Sequence, residues 1–135
     1  MSDVYYCVAG AKIFCNHGTH FRRLDLPLSH GVYIRDKAAV NERDREFPRN
    51  VPAFGVCLSR SNNGSIAQTS DPVDRMQGSG TTEGRRCVPH TAGKWINAKA
   101  DKLVDGRPAL TVESTLTCSL GGGVIAFADN GQGVG

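Results

Sequence analysis

The sequence predicts a mainly β domain of short antiparallel strands and hairpins, and three observations carry that reading. No window of a dozen residues keeps apolar side chains at the i, i+3, i+4 and i+7 positions of a helix without Gly or Pro interrupting it. Residues 111–120 instead alternate with period two, and glycine punctuates the chain, 16 in 135 residues. With 39% apolar and 21% charged residues, the chain has material for one core and not for two. A single domain over 1–128 is expected, followed by a flexible tail over 129–135.

The elements follow in order. Val4 to Phe14 is β-prone and broken at Gly10, and Gly31 to Val40 is a second such segment with Val32, Ile34 and Val40 as its apolar members. Residues 35–49 carry nine charges of mixed sign, which describe a solvated surface. From Leu58 to Arg86 the chain is dominated by Ser, Asn, Gly, Thr and Gln, so 58–86 is expected as a long polar loop. In Thr111 to Leu120, Val112, Ser114, Leu116, Cys118 and Leu120 share one face, while Thr111, Glu113, Thr115, Thr117 and Ser119 share the other. Cys118 therefore points inward. Gly121, Gly122 and Gly123 then permit a reversal into Val124 to Ala128, making a hairpin. A faint internal echo links IRDKAAVN at 34–41 to VDGRPALT at 104–111, each followed after an interval by a cysteine, Cys57 and Cys118.

Charge and compartment narrow the function. Sixteen basic residues against thirteen acidic ones give +3, too small and too mixed for a nucleic-acid surface. Asp3 and Lys12 interrupt what would otherwise be a leader, and nothing approaches the roughly 18 apolar residues of a membrane helix, so no membrane anchor is expected. The expectation is a soluble chain made in the cytoplasm. Five cysteines are an odd number for a disulfide framework there, which leaves thiols that are buried, metal-bound or reactive.

The chain contains no Walker loop, dinucleotide fingerprint, GxSxG elbow, HExxH or CxxC. What remains is Cys7, Cys15, Cys57, Cys87 and Cys118, each beside a turn or inside a strand. Four separated thiols near sharp turns suit a tetrahedral metal site assembled from distant hairpins, although structural zinc sites usually take two ligands from one knuckle. Small buried hydrophobes are the alternative. His17 and His90 stand close enough in sequence to Cys15 and Cys87 to compete as ligands; His20 and His30 are weaker candidates. Cys87 with His90 is also the one thiol–imidazole pair for nucleophilic catalysis, but no acidic orienter accompanies it. Trp95 is expected to anchor the core.

Taken in order, GAKIFCNHG at 10–18, VPAFGVC at 51–57, CVPHTAGKW at 87–95, VDGRPALT at 104–111 and STLTCSLGGGVIAF at 114–127 resemble the PAAR-like proteins of contractile injection systems. The resemblance runs from about Val4 to Phe127. It implies a small conical β fold that caps a trimeric β-helical spike in type VI secretion systems and related phage-tail-like machines, a structural tip and not an enzyme. It also implies that Cys15, Cys57, Cys87 and Cys118 bind zinc, with iron as the alternative, and that Cys7 is spare. The motif that names the parent family is reduced here to Arg107, Pro108, Ala109 and Leu110.

A cone narrows to a point where too few side chains meet to form a core, and four thiolates at about 2.3 Å from one zinc cross-link hairpins without apolar volume. The expected partner is the spike trimer, one chain per three-fold end, with assembly in the cytoplasm before delivery outside the cell on the spike. The competing expectation is a small metal-stabilised adaptor that recruits an effector through the 58–86 loop.

Overall fold

The computed structural model describes residues 6–34, 36–47, 49–58, 66–68, 83–87, 91, 94–118 and 123–132. They form eleven short strands: β1 (Lys12–Cys15), β2 (Arg22–Arg23), β3 (Tyr33–Ile34), β4 (Lys37–Ala38), β5 (Val56–Cys57), β6 (Ile66–Gln68), β7 (Glu83–Arg86), β8 (Lys99–Val104), β9 (Arg107–Ala109), β10 (Thr115–Cys118) and β11 (Gly123–Phe127). Every pairing is antiparallel. The fold is mainly β, with no helix among the described residues.

The largest sheet runs β10-β11-β1-β2. Period-two alternation gives it one buried face, with Ile13, Cys15, Leu116, Cys118, Gly123, Ile125 and Phe127. Trp95 closes this core: it is fully buried, stacks on Phe127 at 4.9 Å and donates its indole N–H to the Asp44 carbonyl. The hairpin expected from the period-two run is β10–β11, with Leu116 opposite Ile125 and Cys118 opposite Gly123. The strand begins at Thr115 and not at Thr111. Residues 111–114 make a closed turn instead, in which the Ser114 N–H donates to the Thr111 carbonyl, the Glu113 N–H to Thr111 Oγ1 and the Thr111 N–H to Ser114 Oγ. Val112 therefore faces outward, against expectation, while Ser114 is buried. Leu120 lies outside the described residues.

Below the sheet, three segments close into a ring. Tyr6 bridges Thr111, Val8 bridges Ala39, and Asn41 bridges Ala109. In segments 6–8, 39–41 and 109–111, the first residue of each thus pairs with the last residue of another, the pattern of a three-fold axis. The Cys7 N–H donates to Leu110 O at 3.0 Å and the Leu110 N–H to Val40 O at 3.1 Å. After each segment the chain makes the same turn, with Ala11 N–H to Val8 O, Asp44 N–H to Asn41 O and Ser114 N–H to Thr111 O. The middle residues Cys7, Val40 and Leu110 point into the main core with Trp95 and Ile125. Their neighbours Tyr6, Val8, Ala39 and Ala109 face a second cluster with Ile34 and Val104.

The echo between 34–41 and 104–111 is part of this ring. Hairpins β3–β4 and β8–β9 both reverse in two residues, pairing Ile34 with Lys37 and Val104 with Arg107. Asp105 and Gly106 both take positive φ, 54° and 79°, as a type I′ turn requires; Asp36 does so at the position of Gly106. The echo paired Cys57 with Cys118, whereas the turn geometry equates Cys118 with Cys15.

Three other expectations change. Within the 35–49 charge run, Glu42 and Asp44 are buried, 4% and 6% exposed, because they sit in the second of the three turns. Asp44 accepts the Asn41 N–H and His30 Nε2, while Glu42 lies 3.6 Å from Lys94 and 3.8 Å from Arg107. The 58–86 stretch is not a plain loop: β6 and β7 join β5 in a three-stranded sheet ordered β5-β7-β6, and 59–65 and 69–82 lie outside the described residues. The tail is docked as far as Gln132: Asn130 and Gln132 are buried, Asn130 O accepts the Val8 N–H, and Gln132 Nε2 donates to Tyr6 O. Among the described residues no helix is long and apolar enough to cross a membrane.

Candidate functional site

Four of the five cysteines gather at the end of the main sheet away from the ring. β1 and β10 leave equivalent turns and end in Cys15 and Cys118, so both thiols arrive on the same buried face. β11 runs between them. Gly123, opposite Cys118, clears the space: a Cβ there would stand 2.7 Å from Cys15 Sγ and 3.4 Å from the His17 ring.

After Cys15 the chain turns through Asn16-His17-Gly18, closed by Gly18 N–H to Cys15 O at 2.9 Å. Gly18 then bridges Cys57 at the end of β5, and the Leu58 N–H donates to His17 O. A side chain at Gly18 would collide with Phe54 Cβ at 2.5 Å, so this approach needs glycine. Cys87 follows β7, which pairs with β5, and its Sγ accepts the Phe54 N–H at 3.2 Å.

Electrostatics shows that the four sulfurs share one neighbourhood. Burial pushes the Cys87 thiol up to about 11, opposed by the Phe54 N–H and reinforced by Cys15, Cys57 and Cys118. Burial likewise raises Cys15; the N–H groups of His17 and Gly18 pull it down, while Cys118 and Cys57 push it up. Amides aimed at a sulfur favour its thiolate, and crowding by like charges opposes it. A soft divalent cation relieves that conflict, so the donor set fits zinc or iron. Among the described residues no three His, Cys, Asp or Glu side chains are disposed to hold a metal ion as they stand. The structure thus brings Cys15, Cys57, Cys87 and Cys118 into mutual influence and not to ligation distances.

All five cysteines are free. A Cys15–Cys118 disulfide is excluded by topology: strands on either side of a shared neighbour are about 9.5 Å apart, beyond the roughly 7 Å of Cα separation that a disulfide spans.

Cys7 stands apart, in the ring and 1% exposed, and burial followed by the Asp129 carboxylate raises its thiol far above the ordinary range. Among the histidines, His17 lies beside the cluster. His20 is buried with Nδ1 2.9 Å from Thr19 Oγ1, and His30 sits between Asp44 and Asp105. His90, and with it the Cys87–His90 pair, lies outside the described residues. Sequence reasoning missed Gly18, Gly123 and the Phe54 N–H. The glycine run reads as a turn signal, and a backbone donor leaves no trace in residue type.

No curated protein and no solved structure matches the chain. Residues 7–132 match a protein family described as Domain of unknown function (DUF4280), which spans all of the ring but Tyr6, the main sheet and all five cysteines; the chain belongs to that family.

Proposed function

We propose that this protein is a PAAR-like structural tip that caps the end of a trimeric β-helical spike in a contractile injection system of the type VI secretion kind, one chain per trimer. The observation that carries this reading is the closed ring of segments 6–8, 39–41 and 109–111. A single chain has no symmetry of its own, so matching a three-fold end requires it to present similar backbone three times. Two of the three copies also present an apolar side chain at the same place: Tyr33 and Leu103 each directly precede the paired residues Ile34 and Val104, and they are 58% and 56% exposed. Exposed groups of this kind suit the end of a β-helix, whose strand edges and apolar side chains otherwise attract similar edges.

The opposite end would be held by a metal on Cys15, Cys57, Cys87 and Cys118, with zinc favoured over iron for an all-thiolate structural site. Such an ion would supply a cross-link between β1, β5, β10 and the segment after β7. Assembly in a reducing cytoplasm would keep the thiols available before delivery on the spike.

The test is to mix the protein with its cognate spike and measure the mass of the complex. One chain per trimer is expected. A three-to-three assembly, or no complex, would overturn the reading in favour of an effector adaptor.

A further inference from the structure

The edge of the main sheet carries an arrangement that neither the core nor the cysteines explain. In the β1–β2 ladder Lys12 stands directly opposite Arg23, with Arg22 beside them opposite Ile13. Like charges facing one another across a strand pair are destabilising. No carboxylate of the described residues lies within ion-pair distance of these three cations. Asp129 is engaged nearby through its Oδ1, which accepts the backbone N–H groups of Lys12 and Gly131.

The cations are also held in place. Arg22 donates Nε to Ala53 O and Nη1 to Phe21 O, both at 3.0 Å, and Arg23 donates Nη1 to Gly10 O at 2.7 Å. Lys12 Nζ lies 5.3 Å from the centre of the Phe21 ring, and that ring is fixed edge-on against Phe14. Each guanidinium has five N–H donors, so these carbonyls orient the forks and leave donors over. Lys12, Phe21, Arg22 and Arg23 line an open cleft of about 390 Å³.

We infer that this cleft is a binding site for a phosphate group. The rigid Arg23 fork, with Lys12 opposite it as a point charge, matches the geometry and charge of a phosphate monoester or diester, while Arg22 starts from the other face of the ladder, opposite Ile13, and adds charge at the rim; the bound anion removes the Lys12–Arg23 repulsion. The Phe21 ring gives an apolar wall for whatever carries the phosphate. The simpler role for charges on an edge strand is to prevent pairing with another sheet, and it requires neither the bracing nor the cleft.

The test is a titration of the full chain with sodium phosphate at neutral pH, against sodium chloride of equal ionic strength, followed by amide chemical shifts and by melting temperature. Phosphate should give saturable shifts confined to the amides of Lys12 and residues 21–23, and it should raise the melting temperature where chloride does not. The double variant Lys12→Gln/Arg23→Gln should fold normally, melt no lower than wild type without phosphate, and bind phosphate at least about tenfold more weakly through loss of charge-assisted contacts. Vesicles of phosphatidylglycerol in phosphatidylcholine, compared with pure phosphatidylcholine, separate the sources. Retention that the double variant loses assigns a lipid headgroup, whereas a phosphate response without retention assigns a soluble phosphate ester. Equal responses to phosphate and chloride, a double variant that binds as wild type does, or vesicle retention without a phosphate response would overturn the site and leave edge protection as the function of these charges.

Discussion

Cys15 and Cys118 occupy the same position in two copies of one backbone pattern, at the same sequence distance beyond the ring residues Val8 and Thr111. Both end a strand that pairs with β11, and both face the core side of the sheet. Two ligand candidates thus come from a repeated unit, while Cys57 and Cys87 come from the sheet that interrupts the repeat.

Protein purified without chelator should contain about one tightly bound metal per chain, zinc ahead of iron. Elemental analysis decides it. A content near zero, with Cys15, Cys57, Cys87 and Cys118 all freely reactive in the folded protein, would remove the metal from the proposal.

Replacing Cys15, Cys57, Cys87 or Cys118 by Ser should abolish stoichiometric metal and lower the melting temperature, because coordination energy is also folding energy. Cys7→Ser should behave differently. It retains the metal but costs on the order of 1–3 kcal/mol, since a hydroxyl enters an apolar site between Val40 and Leu110 without an assured partner. Paired metal assays and melts of the five variants provide the check, and metal loss in Cys7→Ser would show that the wrong cysteine is set apart.

Gly123→Ala places a methyl 2.7 Å from Cys15 Sγ. The sulfur must move, so the variant should lose metal affinity and about 1–3 kcal/mol of stability through overpacking. A variant as stable and as metal-rich as wild type would mean that the thiol is not confined there.

In the native protein Cys7 should resist alkylation at about pH 8 and react only on unfolding, because burial raises its thiol above the ordinary 9.0. The sign for stability follows: the folded state holds its proton to higher pH than the unfolded chain, so this contribution is complete below about pH 9 and declines above it. Mass spectrometry after pulse labelling reads the first effect, and melts between pH 8 and 10.5 read the second.

Tyr33→Asp and Leu103→Asp should leave the fold intact, both side chains being exposed, yet each should weaken spike binding by about tenfold or more if they lie in a desolvated contact. Raising salt to physiological strength should weaken the wild-type complex little, as an apolar, backbone-mediated contact requires. Titration against the spike trimer measures both. Unchanged affinity in the two variants would move the contact away from these hairpins.

Much of the β architecture was legible because period-two burial depends on residue type: Leu116, Cys118 and the buried Trp95 stand where the sequence implies. The strand start was misplaced because a Thr–Ser closed turn satisfies the backbone locally and overrides alternation, turning Val112 outward. Residue type alone implies that Glu42 and Asp44 are solvated, because burial of a carboxylate depends on what packs over it, here a distant hairpin and an imidazole. The echo at 34–41 and 104–111 was visible, but the third member of the ring was not. Its neighbours in space include 130 and 132, at the other end of the sequence.

That last feature orders events during synthesis. Tyr6, Cys7 and Val8 are made well before most of their partners, which are Thr111, Leu110, Ala39, Asn130 and Gln132. The ring cannot close until residues 109–111 have left the ribosome, so segments 6–8 and 39–41 wait with apolar side chains unpaired while the stretch between is made. Long-range pairing of this kind folds slowly and exposes the chain to aggregation. Yield in a heterologous host should therefore depend more on translation temperature and chaperone capacity than on the stability of the finished fold.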